Sequence, residues 1–520
     1  MTATVSRRRN RSERNEFRAS RRGRSPLTHI PWQAIQNSMP PLTRLDEVDE
    51  EKIHEASMRI LEDIGIAMMD DETLDLWQQA GAKVDRSRQH VWLDRGLVLE
   101  LVAKAPQQFR WRARNPARSL VIGGNTINFV PNGGVVFAQD LDYGRRPGLM
   151  KDYVNLQKLV QMCNALQFAG EQLIVPHDVP VSFRHLRRSL TSITLSDKAY
   201  MEAAHGRIIA ADNVAMAKIV FGEHIERGDE VVLGSIINAS SPLRYDERML
   251  GGMLVYARAR QALVITPFIL AGAMSPITMA AAVAQQNAEA LAGIALVQLA
   301  GPGTPVLYGG FATNVDMRSG SPAFGTPEGA WATLVAAQMA RRYKLPFRSS
   351  GTLNTSKAPD AQAAYETMWS VWPAVLAHAN FVMHSVGWLE GGLTVSYEKM
   401  IIDMENLAMF QRFFQPVEIS DETLALDMMA EVGPGGHHLG TAHTQARYST
   451  EFYEPFLSDR QNFETWQQSG VGDAAARANK LWKQALTEFE APALDEGIRE
   501  ALEDFVTRRE RELVGVELYQ

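Results

Sequence analysis

Apolar positions recur along this chain first with a helical period, then as short runs separated by longer periodic stretches. Residues 42–66, LTRLDEVDEEKIHEASMRILEDIGI, put Ile53, Ala56, Ile60, Leu61 and Ile64 on one helical face, and Gly65 stands where that helix should stop. A second helix is predicted over 71–80, a short strand at 91–93, a helix ending near Ala105, and strands with glycine turns through 108–137. From residue 134 a strand-then-helix alternation takes over. Strands are predicted at 134–138, 166–173, 197–203, 231–238, 262–270, 304–311, 345–351 and 380–386. Each is followed by a helical pattern, near 149–163, 183–194, 211–226, 245–260, 277–299, 327–343, 359–377 and 398–414. Ser275-Pro276 and Thr326-Pro327-Glu328 each read as a capping hydroxyl before a first-turn proline.

Eight strands each followed by a helix predict an α/β chain built on a (β/α)8 TIM barrel. The barrel is expected over 131–420, an N-terminal α/β cap over 26–130, and a mostly helical C-terminal extension over 421–520. An open doubly wound sheet is the alternative. It lacks support, because Gly301-Pro302-Gly303 precedes a strand instead of following one and is no dinucleotide fingerprint.

Composition changes little in this picture. The 520 residues are 45% apolar, 22% charged and 8% aromatic, which excludes disordered and disulfide-scaffold classes. Charge is more informative. Residues 1–25 hold nine Arg and two Glu, a net of +7, and read as a disordered arm. The net charge of −7 therefore leaves −14 on the body, so a nucleic-acid partner is not expected. Cys163 is the single cysteine, expected as a buried small hydrophobe, and a reducing, cytoplasmic compartment fits. Residues 261–315 hold one charge, Glu289, but prolines at 267, 276, 302 and 305 break the stretch; it reads as a buried layer, and no membrane association is expected.

In such a barrel the chemistry lies where strands end. That rule selects Gln139, Asp140, Glu171, Glu202, His205, Asn238, Phe311, Asp316, Ser350, His384, Trp388 and Glu390. Trp388 and Glu390 sit among glycines just past the last strand, and an aromatic beside a carboxylate suits an organic cation. The loop GGFATNVDMRSGSPAFGTPE, 309–328, is long and glycine-rich, as a substrate loop would be; its Asp316 and Arg318 can also simply pair. Trp369 and Trp372 share a helical face and read as core. His437, His438 and His443 lie close in sequence but lack nearby carboxylate or cysteine ligands, so hydrogen bonding is expected there and no metal.

Together, the helix of 42–66, DMRSGSPAFGTPE, SSGTLNTSKAPDAQAAYE, FVMHSVGWLEGGL and GGHHLGTAHT make the chain resemble the trimethylamine methyltransferase (MttB) superfamily over about 40–470. The resemblance implies a barrel that passes a methyl group from a methylamine to the cobalt of a corrinoid (cobalamin) carried by a separate small protein. The archaeal enzymes use pyrrolysine. This sequence has only the standard residues, so it resembles the non-pyrrolysine branch, whose known members act on quaternary amines such as glycine betaine, proline betaine and carnitine.

The resemblance thus implies a one-carbon-metabolism methyltransferase acting on a quaternary amine, with a homo-oligomer expected. Glu390, Asp316 and His384 are the expected catalytic residues. Trp388, Phe311, Glu202, Arg318, Tyr365, His437 and His443 are the expected substrate contacts. A quaternary nitrogen leaves as a neutral amine, so the site needs orientation and electrostatics more than acid–base catalysis. Each cation–π contact contributes about 0.5–2 kcal/mol. A betaine also needs a donor for its carboxylate, for which Arg318, His384 and the His437 loop are the candidates. The rivals are a trimethylamine enzyme, a metal-dependent hydrolase built on the histidine cluster, and a betaine-binding protein without turnover.

Overall fold

The computed structural model describes residues 25–518 apart from Asp229; of the arm expected to be disordered over 1–25, residues 1–24 lie outside the described residues, and Ser25 is buried. The fold is mixed α/β. Its largest sheet has the strand order Ile35–Gln36, Thr126–Phe129, Phe381–Met383, Phe347–Ser350, Val306–Gly309, Ala262–Ile265, Gly234–Ile237. All neighbours are parallel except the first pair. Every residue of Thr126–Phe129, Ala262–Ile265, Val306–Gly309 and Phe347–Ser350 is buried. Helices pack on one face of these strands and other side chains on the opposite face, which is why they read as near-continuous apolar runs.

Two further extended segments continue the parallel array. Gln167 N–H donates to Phe129 O at 2.9 Å, and Ala169 N–H to Ala199 O at 2.8 Å. Met201 N–H donates to Gly170 O at 3.2 Å, and Glu202 N–H to Gly234 O at 3.0 Å. The helices Met150–Met162, Arg184–Leu195, Arg207–Phe221, Glu247–Arg258, Met279–Ala300, Pro327–Arg342, Ala361–Leu376 and Tyr397–Phe413 follow the predicted order.

One strand assignment needs correction. The first parallel strand is Thr126–Phe129, whereas the sequence pattern places it at 134–138. Phe137–Asp140 instead pairs with Gly144–Pro147 and Thr394–Ser396 in a separate four-stranded sheet near the strand ends. TINF at 126–129 alternates polar and apolar residues, the pattern of a half-exposed strand, yet all four are buried, because Thr126 Oγ1 donates to Val121 O and Gly123 O and Asn128 Nδ2 to Val121 O and Asn380 O.

A hydrophobic cluster on the parallel array joins Phe168, Met201, Ile236, Val264, Leu307, Phe381 and Met383 to Trp111 of the hairpin Gln108–Trp111/Leu120–Gly123. Trp111 meets Phe168 edge-on at 4.9 Å and stacks near Phe381 at 6.2 Å. Gly234 makes room for it: a Cβ there would fall 2.2 Å from Cη2 of Trp111.

The nearly uncharged stretch 261–315 becomes strand, then the 22-residue helix Met279–Ala300, then strand. Its single charge, Glu289, is fully buried and accepts from Ser241 Oγ at 2.5 Å, Leu243 N–H at 2.7 Å and Gln285 Nε2 at 2.9 Å. Among the described residues no helix is long and apolar enough to cross a membrane. Thr326 caps Pro327–Arg342 as expected, accepting from Gly329 N–H at 3.2 Å. Ser275 does not cap the preceding helix. That helix starts at Met279, because Ser275 is held in a bridge to Ala271.

The N-terminal segment contributes Ile66–Met68, which pairs with Arg244–Tyr245 of the main body, and Glu47–Arg59, whose Ser57 Oγ donates to Ala284 O at 3.0 Å. At the other end, Ala474–Thr487 and Glu496–Glu512 pack back onto the body. Trp482 Nε1 donates to Glu398 at 2.9 Å, and Arg509 Nε to Asp212 at 2.7 Å.

Candidate active site

The carboxyl ends of the parallel strands carry an aromatic group. Phe311 follows Val306–Gly309, His384 follows Phe381–Met383, and Trp388 opens the two-residue strand Trp388–Leu389. Phe268 and Phe311 lie 4.9 Å apart between ring centroids, Phe311 and Phe324 5.8 Å, and Phe324 meets Trp388 edge-on at 6.0 Å. His384 lies 4.3 Å from Trp388 and 5.6 Å from Phe311. A small cavity of about 20 Å³ sits beside this group, lined by Phe311, Thr313, Phe324, Ser350 and Leu353 among others.

Backbone geometry fixes the group. His384 has φ +56°, an unusual conformation for a residue with a side chain, and its carbonyl accepts from both Thr352 N–H at 2.7 Å and Thr352 Oγ1 at 2.8 Å. Gly387 N–H donates to Asp403 at 2.8 Å, and Asp403 is itself ion-paired to Lys399 in the interior. Gly392, at φ +94°, lies so close to Trp388 that a Cβ would fall 2.4 Å from the indole. The glycines around Trp388 thus let the backbone fold over the ring. Trp388 is 5% exposed, and its Nε1 has no hydrogen-bond partner.

Burial, and then the nearby Arg348 guanidinium, hold the His384 imidazole well below its ordinary pKa. It is a neutral ring near pH 7, with Nδ1 3.1 Å from Ser350 Oγ. Glu202 and Glu171 show the opposite shift. Burial pushes Glu202 up to about 8 and Glu171 up to about 7; Arg188 works against this in both. Arg348 also opposes the rise at Glu171, and the two carboxyls disfavour each other's charge at Glu202. Neither carboxylate oxygen of Glu202 has a hydrogen-bond partner at good geometry.

Glu390 lies close by but is already engaged. Arg145 grips it with Nε 2.7 Å from Oε2 and Nη2 3.2 Å from Oε1, and Thr394 Oγ1 donates to Oε2 at 2.7 Å. Partial burial opposes its charge, but Thr394 and Arg145 outweigh that and hold its pKa below the usual value. The Arg145 guanidinium also lies 3.5 Å over the Phe137 ring.

The structure therefore brings together Phe311, His384 and Trp388, with Glu390 at the edge; Glu202 ends a more distant segment, hydrogen-bonded to Gly170 and Gly234 and near Glu171. The other expected residues stand apart from that group. Asp316 accepts from Ser319 Oγ at 2.6 Å and from the N–H groups of Arg318 and Ser319, shaping its own turn, and Arg318 is exposed. Tyr365 is 57% exposed on Ala361–Leu376. His437 and His438 are exposed, and His443 is half-buried in the short helix Ala442–Arg447. Among the described residues the one three-ligand cluster is Glu51, His54 and Glu55, where His54 Nδ1 is 2.8 Å from Tyr343 OH and Glu55 pairs with Arg95. Trp372 packs on Phe410 and Phe413, but Trp369 is 53% exposed, so the two do not share a buried face.

Sequence reasoning passed over Arg348, which is 1% exposed. The signal was a lone charge inside FRSS at 347–350.

The sequence profile described as trimethylamine methyltransferase (MTTB) matches residues 7–514. The chain belongs to this family. It is a methyltransferase by that membership. A glycine betaine methyltransferase from Desulfitobacterium hafniense (strain Y51) is 40% identical over 475 residues, covering 91% of this chain and 98% of the relative. A trimethylamine methyltransferase MttB from Desulfitobacterium hafniense (strain DSM 10664 / DCB-2) is 29% identical over 89% of this chain and 94% of the relative. Among solved structures, the monomethylamine methyltransferase (MtmB) of Methanosarcina barkeri aligns over 87% of this chain and 90% of that one, at 10% identity and a TM-score of 0.46. Within the MTTB family, the carboxyl-end aromatic group of this chain is the candidate methyl-donor site.

Proposed function

We propose that this chain moves a methyl group from a small quaternary amine, glycine betaine or a close analogue, to the cobalt(I) of a corrinoid held by a separate small protein. The observation that carries this reading is the cluster of Phe268, Phe311, Phe324 and Trp388 at the strand ends, with a neutral His384 beside it. Ring faces attract a permanent cation whose charge is spread over methyl groups. The donor needs no general acid, since a tertiary amine leaves neutral, and His384 held neutral fits a site that supplies walls and orientation. The corrinoid, when docked, supplies a strongly nucleophilic cobalt; this chain's residues present the methyl group to it and keep water away. The relative named for glycine betaine, at 40% identity, favours a betaine over the relative named for trimethylamine, at 29%.

We also propose that the parallel array is an eight-stranded (β/α)8 barrel, with 166–170 and 199–202 as its second and third strands. The four backbone hydrogen bonds from Gln167 to Phe129, Ala169 to Ala199, Met201 to Gly170 and Glu202 to Gly234 support it. The α/β cap before it and the helical extension after it belong to the same proposal. So do a homo-oligomer, for which exposed Val417, Ile419, Leu426, Leu439 and Phe452 offer apolar surface, and a cytoplasmic location. No nucleic-acid partner is proposed.

The test incubates the full chain with cob(I)alamin and glycine betaine, proline betaine, carnitine, choline or trimethylamine, following methylcobalamin by absorbance. Methylation from a betaine is expected. Turnover of trimethylamine alone would overturn the substrate, and specific betaine binding without turnover would favour a binding protein.

A further inference from the structure

We propose that Arg348 is the residue that recognises the carboxylate of a zwitterionic substrate, an inference that rests on the quaternary-amine reading above. Arg348 lies within Phe347–Ser350, 1% exposed, and its guanidinium is 5.1 Å from the ring centroid of Phe311. Its hydrogen bonding is poor for a buried cation. Nη1 reaches Gly310 O and Nη2 the Met383 sulfur, each at 3.5 Å, and Nε has no partner. A buried guanidinium left this way is destabilising unless an anion joins it. Glu171 is the acid that acts on it, and burial raises Glu171 until it is a half-protonated partner near pH 7. Arg348 thus keeps donor capacity free, and the fork of Arg matches the two oxygens of a carboxylate.

The other arginines near the strand ends are less suited. Arg145 is paired with Glu390 and Arg318 is exposed. Arg188, whose Nε also has no partner, donates to Gln172 and already acts on two carboxyls, Glu171 and Glu202, whereas among the described residues no contact places it on the aromatic group.

The placement matches the shape of a betaine. In glycine betaine one methylene separates the ammonium from the carboxylate, so both ends must be met within one small site. Phe311 is the shared element. Its ring contacts Arg348 and also belongs to the aromatic group with Phe268 and Phe324. An ammonium against the rings and a carboxylate turned to the Arg348 guanidinium would keep the opposite charges one methylene apart beside Phe311. Choline and trimethylamine have no anionic end to use the guanidinium. Arg348 therefore sets the substrate class as carboxylate-bearing quaternary amines.

Calorimetric titration of the full chain with glycine betaine and with its amide, N,N,N-trimethylglycinamide, tests this. The amide keeps the cation and removes the anion. Wild type is expected to prefer glycine betaine by about 30-fold or more, and Arg348→Met to lose that preference while still binding the amide as wild type does. Arg348→Lys keeps a charge without the fork and should keep only part of the preference. If Arg348→Met does not fold, the wild-type comparison and Arg348→Lys decide. Equal wild-type affinities, or an undiminished preference in both variants, overturn the role of Arg348 alone. Wild type that binds neither compound overturns the quaternary-amine reading itself.

Discussion

Arg145 and Glu390 form a two-pronged ion pair at the edge of the aromatic group, at 2.7 and 3.2 Å. The carboxylate expected to face the substrate cation is already balanced by a cation of this chain. The pair joins the turn Glu390–Gly392 to Gly144–Pro147, where Arg145 resides, and its expected role is to hold that turn.

A double-mutant cycle checks that role. Glu390→Gln and Arg145→Ala should each lower kcat/KM by a similar, modest factor, and the double variant should be little worse than either. A coupling of about 1 kcal/mol is expected for a partly exposed bidentate pair. Fully additive losses would show that Glu390 acts on the substrate independently of Arg145.

Trp388 should act through its ring face. Trp388→Ala in a nearly closed site would remove packing as well as cation binding, at about 3–5 kcal/mol of stability. The informative series is Trp388→Phe and Trp388→Leu. Affinity for a quaternary ammonium should fall in the order Trp, Phe, Leu, with about 0.5–2 kcal/mol lost overall and a smaller change in melting temperature. An unchanged KM across the series, with the fold intact, would remove Trp388 from the site.

Lys198 is a structural counterpart. Its buried Nζ donates to the carbonyls of Val160, Cys163 and Leu166 at 2.6, 2.7 and 2.8 Å, tying the end of Met150–Met162 to the segment 166–170. Lys198→Met would strand three carbonyls, and a loss of about 3 kcal/mol is expected in denaturant unfolding. A loss within about 0.5 kcal/mol would show that water replaces the ammonium there.

Much of this architecture is legible in the sequence, and the exceptions have physical causes. Helices with marked ends can be read directly, as at Thr326-Pro327, where the hydroxyl and the proline act locally. Ser275-Pro276 carries the same local signal, but tertiary pairing of Ser275 with Ala271 overrides it. The first strand is displaced because the alternating TINF at 126–129 reads as a half-exposed strand of the cap, while hydrogen bonds of Thr126 and Asn128 let it be buried on both faces; the glycines at 133 and 134 look like a strand entrance. Phe311, His384 and Trp388 follow from the rule that chemistry lies at strand ends. Arg348 escapes that rule because it lies inside a strand, where a lone charge gives no clue to which face it takes. Whether Asp316, Arg318 and Tyr365 lie beside the rings depends on loop and helix orientation that spacing does not encode.

Glu202 gives a stability prediction with a definite sign. Its folded pKa, near 8, lies above the ordinary carboxyl value, so the folded state holds a proton that the unfolded state releases. Its favourable contribution is complete below about pH 4.5 and is lost as pH rises through about 8. Glu202→Gln removes the titration, so the variant should gain stability relative to wild type on going from pH 5 to pH 9. Chemical denaturation at both pH values measures it. A variant whose stability relative to wild type is the same at both would show that Glu202 is ionised in the folded protein.

Turnover should carry no signature of His384 near its ordinary pKa. Burial and Arg348 keep the ring neutral, and a quaternary substrate does not titrate. A limb in kcat/KM around pH 6–7 from this residue is therefore not expected, and His384→Gln, which keeps a polar side chain beside Ser350, should change the magnitude of kcat/KM and leave its pH profile unaltered. Glu171 titrates near 7 beside Arg348, so a limb there is expected to disappear in Glu171→Gln instead. The rate profile from pH 5.5 to 9 with glycine betaine, in wild type and both variants, separates these groups. A limb near pH 6.5 that vanishes with His384→Gln and survives Glu171→Gln would make His384 a proton carrier, and the reaction would then need acid–base help that a departing neutral amine does not call for.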